Sequence, residues 1–323
     1  MRDVSPVRLL ELGAVPPLYS QALYHGLAES MRDTSPDTLV LCWPSAPCFC
    51  VGAHRRAAED LDLDWCQAQG YPVLHRRIGG GTVYLHPGQL FYQAVVHRRR
   101  APFAVAAVFR RCLDPVVRTL AAMGLDARLE GVNEIEVGGR RIAGTGGGQL
   151  GEAMVVVGNL LYDFPAATMG RAWRLPSEAF RRLAVEGLHR HLVTLDELCP
   201  AGPPDPAELG RRLAAEYARE WDRPMRPGEP TPDEAYAVGA EERRLVRLGP
   251  GRRGSPERER RLKLTRRAWV GEWTWSAGAE EARVTARVAN SEVEALEVVG
   301  PLRRAEALGR VAALVREARP WTC

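Results

Sequence analysis

The sequence predicts an α/β or α+β domain built on a mixed sheet, followed by a small α+β C-terminal domain. Extended apolar runs alternate with two long helices, glycine-rich connections join the runs, and proline-rich chain near residue 200 separates them from three later strands and a helix. A length of 323 residues allows about two domains at roughly 150 residues each. With 46% hydrophobic and 26% charged residues, both can bury cores.

Residues 16–31 carry Leu18, Ala22, Leu23, Leu27 and Met31 at three- and four-residue steps, the spacing of an amphipathic helix. Residues 38–43 read as a buried strand closed by Pro44. A helix is expected over 59–69, an extended piece over 71–74, and two strands over 82–84 and 90–96 joined by a turn at Pro87-Gly88. A helix follows over 104–123. Ile135-Glu136-Val137, Gly138-Gly139 and Arg140-Arg141-Ile142 form a hairpin signal, because paired glycines suit a tight turn with positive φ. A loop is expected from Gly144, then a β-type run over 153–164. Beyond the proline-rich stretch 200–206 a helix spans 207–221, and 223–232 is again proline-rich. Between 241 and 267 arginines crowd around Gly249-Pro250-Gly251, as in a solvated insertion. Residues 269–275, 281–289 and 292–299 read as strands, and 303–316 as a helix. The expected organisation is 1–205 as the first domain, 206–232 as helix and linker, and 233–323 as the C-terminal domain.

The longest apolar stretches, such as Met154-Val155-Val156-Val157, stop far short of the roughly 18 residues a membrane helix needs, so neither membrane anchoring nor secretion is expected. A net charge of +4 does not indicate a nucleic-acid binder. Seven cysteines without framework spacing read as reduced thiols of a cytoplasmic protein. Lys263 is the sole lysine, so 44 basic residues less one leaves 43 arginines. This bias reads as genomic base composition, but it removes any mechanism that needs a lysine earlier in the chain.

Two glycine-rich segments carry the chemistry. One is His75-Arg76-Arg77-Ile78-Gly79-Gly80-Gly81-Thr82-Val83-Tyr84-Leu85-His86-Pro87-Gly88-Gln89-Leu90; the other runs from Gly139-Arg140-Arg141-Ile142-Ala143 through Gly144-Thr145-Gly146-Gly147-Gly148 to Gly151. Successive glycines persist where backbone must approach a ligand or take positive φ. Flanking arginines suggest that the ligand is anionic. Gly80 and Gly147 are expected to sit against it, so that valine at either would abolish binding and leave the thermal midpoint nearly unchanged. A Walker loop is excluded, since no lysine is available. Gly146-x-Gly148-x-x-Gly151 satisfies a dinucleotide fingerprint, but Val155-Val156-Val157 fits a strand where that motif opens a helix. Cys48-x-Cys50 with His54 lies in an ordinary extended apolar segment and does not read as a zinc site.

In their order, residues 76–90, Asn133-Glu134-Ile135, 139–145 and Gly158-Asn159-Leu160-Leu161-Tyr162-Asp163 resemble the biotin/lipoate protein ligase superfamily, specifically lipoate-protein ligases and the related octanoyltransferases. The resemblance covers residues 5–200, and 269–318 is more weakly similar to the ligases' accessory domain. It implies an α+β fold, a mixed sheet with flanking helices related to class II aminoacyl-tRNA synthetases, with a small α+β accessory domain. It implies that lipoate or octanoate reacts with ATP, with Mg2+, to give an acyl-adenylate that a lysine of a lipoyl carrier domain or a glycine cleavage H-type protein attacks. A monomer without nucleic-acid or membrane partners is expected.

By the same resemblance, Arg76, Gly79, Gly80 and Gly81 would line the acyl and adenylate pocket, with Thr82, Val83 and Tyr84 behind them. Gly144, Thr145, Gly146 and Gly147 would bind substrate or adenylate. Asn133 and Glu134 would stand at the family's Asn-Asp pair, with Glu134 a candidate magnesium ligand. The motif's lysine corresponds to Arg141, the implied catalytic residue; arginine keeps the charge and grips two oxygens, but does not shuttle a proton near neutral pH. Many members place a histidine after the aromatic residue of the first motif, where this chain has Leu85 and then His86. The His-Gly that opens the last motif is Val157-Gly158 here.

Two other readings stand beside the ligase. An octanoyltransferase would pass the acyl group from acyl carrier protein through a cysteine thioester. Pro87-Gly88-Gln89-Leu90 resembles its version of the turn, yet no cysteine lies between Cys112 and Cys199, and Cys199 sits in Leu198-Cys199-Pro200. A non-catalytic acyl or acyl-adenylate binding protein is the other, supported by the missing lysine.

Overall fold

The computed structural model describes residues 5–247, 259–277 and 280–317. Its elements are, in order, β1 (Val7–Val15), α1 (Pro17–Glu29), β2 (Thr38–Pro44), β3 (Cys48–Val51), α2 (Ala57–Asp60), α3 (Leu63–Ala68), β4 (Val73–His75), β5 (Val83–Leu85) and β6 (Gln89–His97). Next come α4 (Val105–Ala122), β7 (Ala127–Glu130), β8 (Glu134–Val137), β9 (Arg140–Leu150), β10 (Ala153–Leu161), α5 (Ala166–Ala172), α6 (Glu178–His191), α7 (Leu195–Leu198) and α8 (Pro206–Trp221). The chain continues through β11 (Met225–Pro227), α9 (Pro232–Leu245), β12 (Glu259–Lys263), β13 (Ala268–Ala277), β14 (Glu280–Ala289), β15 (Glu292–Val299) and α10 (Arg304–Glu317). They gather into two compact units.

The first unit holds described residues 5–57, 63–164 and 193–247. Its eight-stranded sheet runs β11-β1-β2-β6-β10-β9-β8-β7, parallel at β11-β1-β2 and antiparallel elsewhere, the mixed sheet that the sequence predicts. Successive side chains alternate between faces. Leu9, Leu41, Tyr92 and Val156 pack with Phe109 and Leu113 of α4 and with Leu213 and Tyr217 of α8, while Leu10, Val40, Phe91 and Val155 pack with Leu23 and Leu27 of α1. Burial on both faces explains why these strands read as unbroken apolar runs. A smaller sheet, β4-β3-β5, carries the first glycine-rich segment.

Residues 206–232, read in sequence as helix and linker, are built into this unit. The Asp205 carboxylate accepts from the Ala207 and Glu208 amides, and Pro206 opens α8, which turns proline-rich chain into a helix start. Leu209, Leu213, Tyr217 and Trp221 then enter the core, and β11 adds a parallel edge beside β1. The arginine-rich stretch from 241 begins inside α9, whose capping box joins Thr231 and Glu234. Its centre at 249–251 lies outside the described residues.

The second unit holds described residues 58–62, 165–192, 259–277 and 280–317. The antiparallel sheet β12-β13-β14-β15 packs Trp269, Trp273 and Val284 against Ala307 and Val311 of α10. On α6, Gly187 lets Leu264 and Arg287 approach the helix backbone. The Ser177 hydroxyl, which caps α6, bonds the Glu272 carboxylate, and Thr285 Oγ1 donates to it at 2.9 Å. Residues 165–192, placed before the expected boundary, thus belong to this unit, with α6 packed on β13 and β14.

Other differences are local. The helix expected over 59–69 breaks between α2 and α3, because buried Leu61 bridges Trp173 and the Asp62 amide donates to the Ala172 carbonyl at 2.8 Å. The loop expected from Gly144 is instead the continuation of β9, paired through to Leu150 with β10. The hairpin turn stands where expected, with φ of +57° and +75° at Gly138 and Gly139.

Candidate active site

The first glycine-rich segment is pinned from beneath. His25, fully buried on α1, places Nδ1 2.7 Å from the Gln21 carbonyl, so that nitrogen carries the proton and Nε2 accepts the Arg77 amide at 3.0 Å. Arg77 itself reaches Glu29 of α1 at 2.8 Å and Glu241 of α9 at 2.9 Å. From this anchor Arg76 turns inward. Its guanidinium donates to the carbonyls of Cys50 (2.9 Å), Gly79 (3.1 Å) and Gly81 (2.7 Å), so it organises the glycine loop from inside.

Within the loop, Gly80 has φ of +107°, and a side chain there would also meet Arg76 Nη2 at 2.8 Å. Gly52 allows a close approach of this loop: its Cβ would fall on the Gly80 carbonyl. Gly79 and Gly81 face open space. Thr82 leads into β5, where Val83 is half-exposed and Tyr84 is buried, stacked on His86 at 5.2 Å and tilted on Phe49 at 5.0 Å. Tyr84 therefore stands behind the loop.

On β9 the strand alternation divides the second glycine run. Gly144, Gly146 and Gly148 pair with Asn159, Val157 and Val155 on the α1 side of the sheet. There the Gly146 Cβ position lies 3.6 Å from the Gly79 carbonyl and 3.7 Å from Ile78, so the two glycine-rich segments touch. Thr145 and Gly147 point the other way. Thr145 Oγ1 bonds the Tyr92 hydroxyl at 3.2 Å, and a side chain on Gly147 would meet Phe109 of α4 at 2.9 Å and the Val155 carbonyl at 2.6 Å. Gly147 is a packing glycine, which corrects the expectation that it lies against ligand.

On β8, Ile135 and Val137 face α4, which leaves Glu134 and Glu136 on the glycine-lined face, both buried. Arg141, paired in register with Glu136, brings Nη1 within 3.5 Å of Glu134 Oε1, and its Nε is buried without a hydrogen-bond partner among the described residues. Arg140 instead reaches Glu197 at 2.8 Å on the exposed side. The Asn133 amide donates to the Thr145 carbonyl at 3.2 Å and steadies the β8–β9 pair. Glu134, Arg141, Gly144 and Gly146 thus come together on one face, whereas Thr145 and Gly147 do not join them.

Two site residues carry no role in the sequence reading. Asn159 Nδ2 donates to Gln89 Oε1 at 2.9 Å, and Gln89 Nε2 donates to the Tyr84 carbonyl at 3.1 Å. His86 accepts the Gly88 amide at Nδ1 (3.2 Å), which leaves Nε2 as a buried donor without a partner among the described residues. Burial draws its pKa down, opposed by the Asp163 carboxylate 3.6 Å away. The signal that could have found Asn159 is its place in the last motif, directly across β10 from Gly144. Thiol chemistry is held back by burial: Cys42 and Cys112 are pushed up to about 12, and Cys48 and Cys50 are raised as well. Cys199 is the one partly exposed thiol among the described residues.

A fold of this kind is that of the lipoate-protein ligases. The bi-partite lipoate protein ligase of Thermoplasma acidophilum superposes with a TM-score of 0.68 at 21% identity, over 75% of this chain and 94% of that one. A lipoate-protein ligase A bound with ATP gives 0.63 at 20% identity, over 75% and 96%. The chain belongs to the family described as lipoyl protein ligase A/B catalytic domain, which matches residues 16–218 and comprises acyl-transferring enzymes. Among its relatives, the octanoyltransferase LipM of Symbiobacterium thermophilum is 25% identical over 69% of this chain and 89% of its own length. The lipoate-protein ligase LplJ of Bacillus subtilis is 22% identical over 49% of this chain and 47% of its own.

Proposed function

We propose that the chain is a lipoate- or octanoate-protein ligase-like enzyme that forms an acyl-adenylate from ATP and passes the acyl group to a lysine of a lipoyl carrier domain or a glycine cleavage H-type protein. The observation that carries this reading is Arg141. Its guanidinium stands on the glycine-lined face beside Glu134 with Nε–H unpartnered. A buried cationic donor without a partner complements an acyl carbonyl or phosphate oxygen, where charge builds during adenylation.

The chain's own groups divide the work. Arg76 holds the loop whose Gly79 and Gly81 leave open space for the mixed anhydride. Arg141 stabilises negative oxygen without exchanging protons, as arginine remains charged. Glu134 would supply a protein oxygen to a nucleotide-borne Mg2+, which would neutralise phosphate charge. The protein is proposed to act as a monomer in a reducing cytoplasm, where its thiols stay free.

The octanoyltransferase reading draws on the LipM relative, of which the chain covers 89%. One experiment separates the readings: purified protein, ATP and Mg2+, lipoate or octanoate, and an apo lipoyl domain weighed by mass spectrometry. The ligase adds the acyl mass only with ATP. Acylation from octanoyl-acyl carrier protein without ATP establishes the transferase, and no mass gain from either donor leaves an acyl-binding protein.

A further inference from the structure

Asn159 lies across β10 from Gly144, and Gly144 lies across β9 from Glu134, so the three form one row on the glycine-lined face. The orientation of the Asn159 amide follows from the chain of hydrogen bonds behind it. A carbonyl only accepts, so the Tyr84 carbonyl must face Gln89 Nε2; Gln89 Oε1 then faces Asn159, which must present Nδ2. Gln89 is 1% exposed and has no room to choose otherwise. Asn159 Oδ1 is therefore turned away, toward the missing side chain of Gly144, 3.2 Å from where its Cβ would stand. It has no hydrogen-bond partner among the described residues.

Gly144 thus leaves a slot with an amide oxygen on one side and the Glu134 carboxylate on the other. Two acceptors and one negative charge suit a primary amine better than a neutral hydroxyl or an anion. Arg141 reaches the same row through Glu134, so an oxygen held by Arg141 and a nitrogen held by Asn159 would be neighbours.

Resting on the function proposed above, we infer that Asn159 Oδ1 receives the ε-amine of the acceptor lysine and orients it for transfer. The ammonium first gives up a proton to solvent. Its nitrogen lone pair then attacks the acyl carbonyl carbon; the new C–N bond forms, the C–O bond to phosphate breaks, AMP leaves with that electron pair, and the second proton is released to solvent. Asn159 contributes an acceptor for the remaining N–H and exchanges no proton.

The test measures the two half-reactions separately with the full chain, ATP and octanoate. Adenylate is followed by pyrophosphate release and by trapping with hydroxylamine, and transfer by the acyl mass on an apo lipoyl domain. Asn159→Ala should form adenylate within twofold of the native rate and lose at least tenfold in kcat/KM for the lipoyl domain. Asn159→Thr, whose hydroxyl can still accept, should recover part of that loss; it serves alone if the alanine variant does not fold. Equal losses in both half-reactions, or unchanged transfer, overturn the inference while the ligase reading stands. A native protein that makes no adenylate overturns both.

Discussion

His25 Nε2 accepts the Arg77 amide from a fully buried position on α1, and so joins a helix interior to the backbone of the glycine loop. His25→Ala would leave that N–H without its acceptor, a loss of about 1–3 kcal/mol for a buried donor. His25→Gln, which presents an oxygen at similar reach, should recover much of it. Urea denaturation gives the stabilities, and KM for ATP should rise in the alanine variant more than in the glutamine one. Equal KM values for all three proteins would show that the bond supports the fold but not the loop.

The same histidine makes stability depend on pH. Burial draws its pKa down from 6.5 to about 3, with the charges of Arg77 and Arg76 acting in the same direction. The unfolded chain takes up the proton below about 6.5 and the folded chain does not, so the stability from burying neutral imidazole is whole above that pH and falls as pH drops toward 3. The slope should approach about 1.4 kcal/mol per pH unit between those limits. Denaturation midpoints of native protein and His25→Gln should converge on acidification from pH 7 to 4.5. Parallel curves would show the ring to be protonated in the fold.

Gly147 and Gly81 should part company. Gly147→Val drives a side chain into Phe109 and the Val155 carbonyl, an overpacking that costs about 1–3 kcal/mol or more. Gly81→Ala meets no atom within 4 Å, so stability should stay within about 0.5 kcal/mol while adenylate binding weakens. Calorimetry of the two variants decides, and a Gly147→Val midpoint equal to the native one would refute the packing role.

Arg141→Ala should lose at least tenfold in adenylate affinity, about 1.4 kcal/mol. Arg140→Ala, which breaks a surface pair with Glu197, should change little. Arg141→Lys should keep binding and hold or raise transfer to a lipoyl domain. Titration calorimetry with a non-hydrolysable acyl-adenylate analogue measures all three; equal small effects of the two alanine variants would remove Arg141 from the site.

If acyl transfer runs through an adenylate, Cys199→Ser should leave it largely intact and dependent on ATP, because the other thiols described are buried. Abolished transfer in that variant, with octanoyl-acyl carrier protein as donor, would assign the nucleophile and the transferase chemistry.

The sequence shows the hairpin at Gly138-Gly139 and the C-terminal strands because turn chemistry and alternation are local. It hides β9 beyond Ala143, since a run of glycines has no side chains to display a period of two; pairing with β10 supplies the strand. Motif order brings Glu134 and Arg141 to one site, yet which glycines face it depends on alternation along β9. Arg76 shows a further limit: its charge suggests a ligand contact, while its donors go to main-chain carbonyls twenty-six residues back and three and five ahead.

Opposite Ile135-Glu136, β9 carries one residue more than β8, and Ile142 and Ala143 are consecutively buried on the α4 side. That extra residue resets the phase of the strand. In a regular strand of the same length, without the bulge, positions 141 and 144 would project from opposite faces, and no choice of amino acid could put the guanidinium over the glycine floor. Straightening the bulge with every residue kept would therefore act as a change of grammar, exchanging the inward and outward roles of Arg140 and Arg141, whereas deleting Ala143 would leave positions 141 and 144 two apart and still on one face. Composition at this site is readable only together with parity.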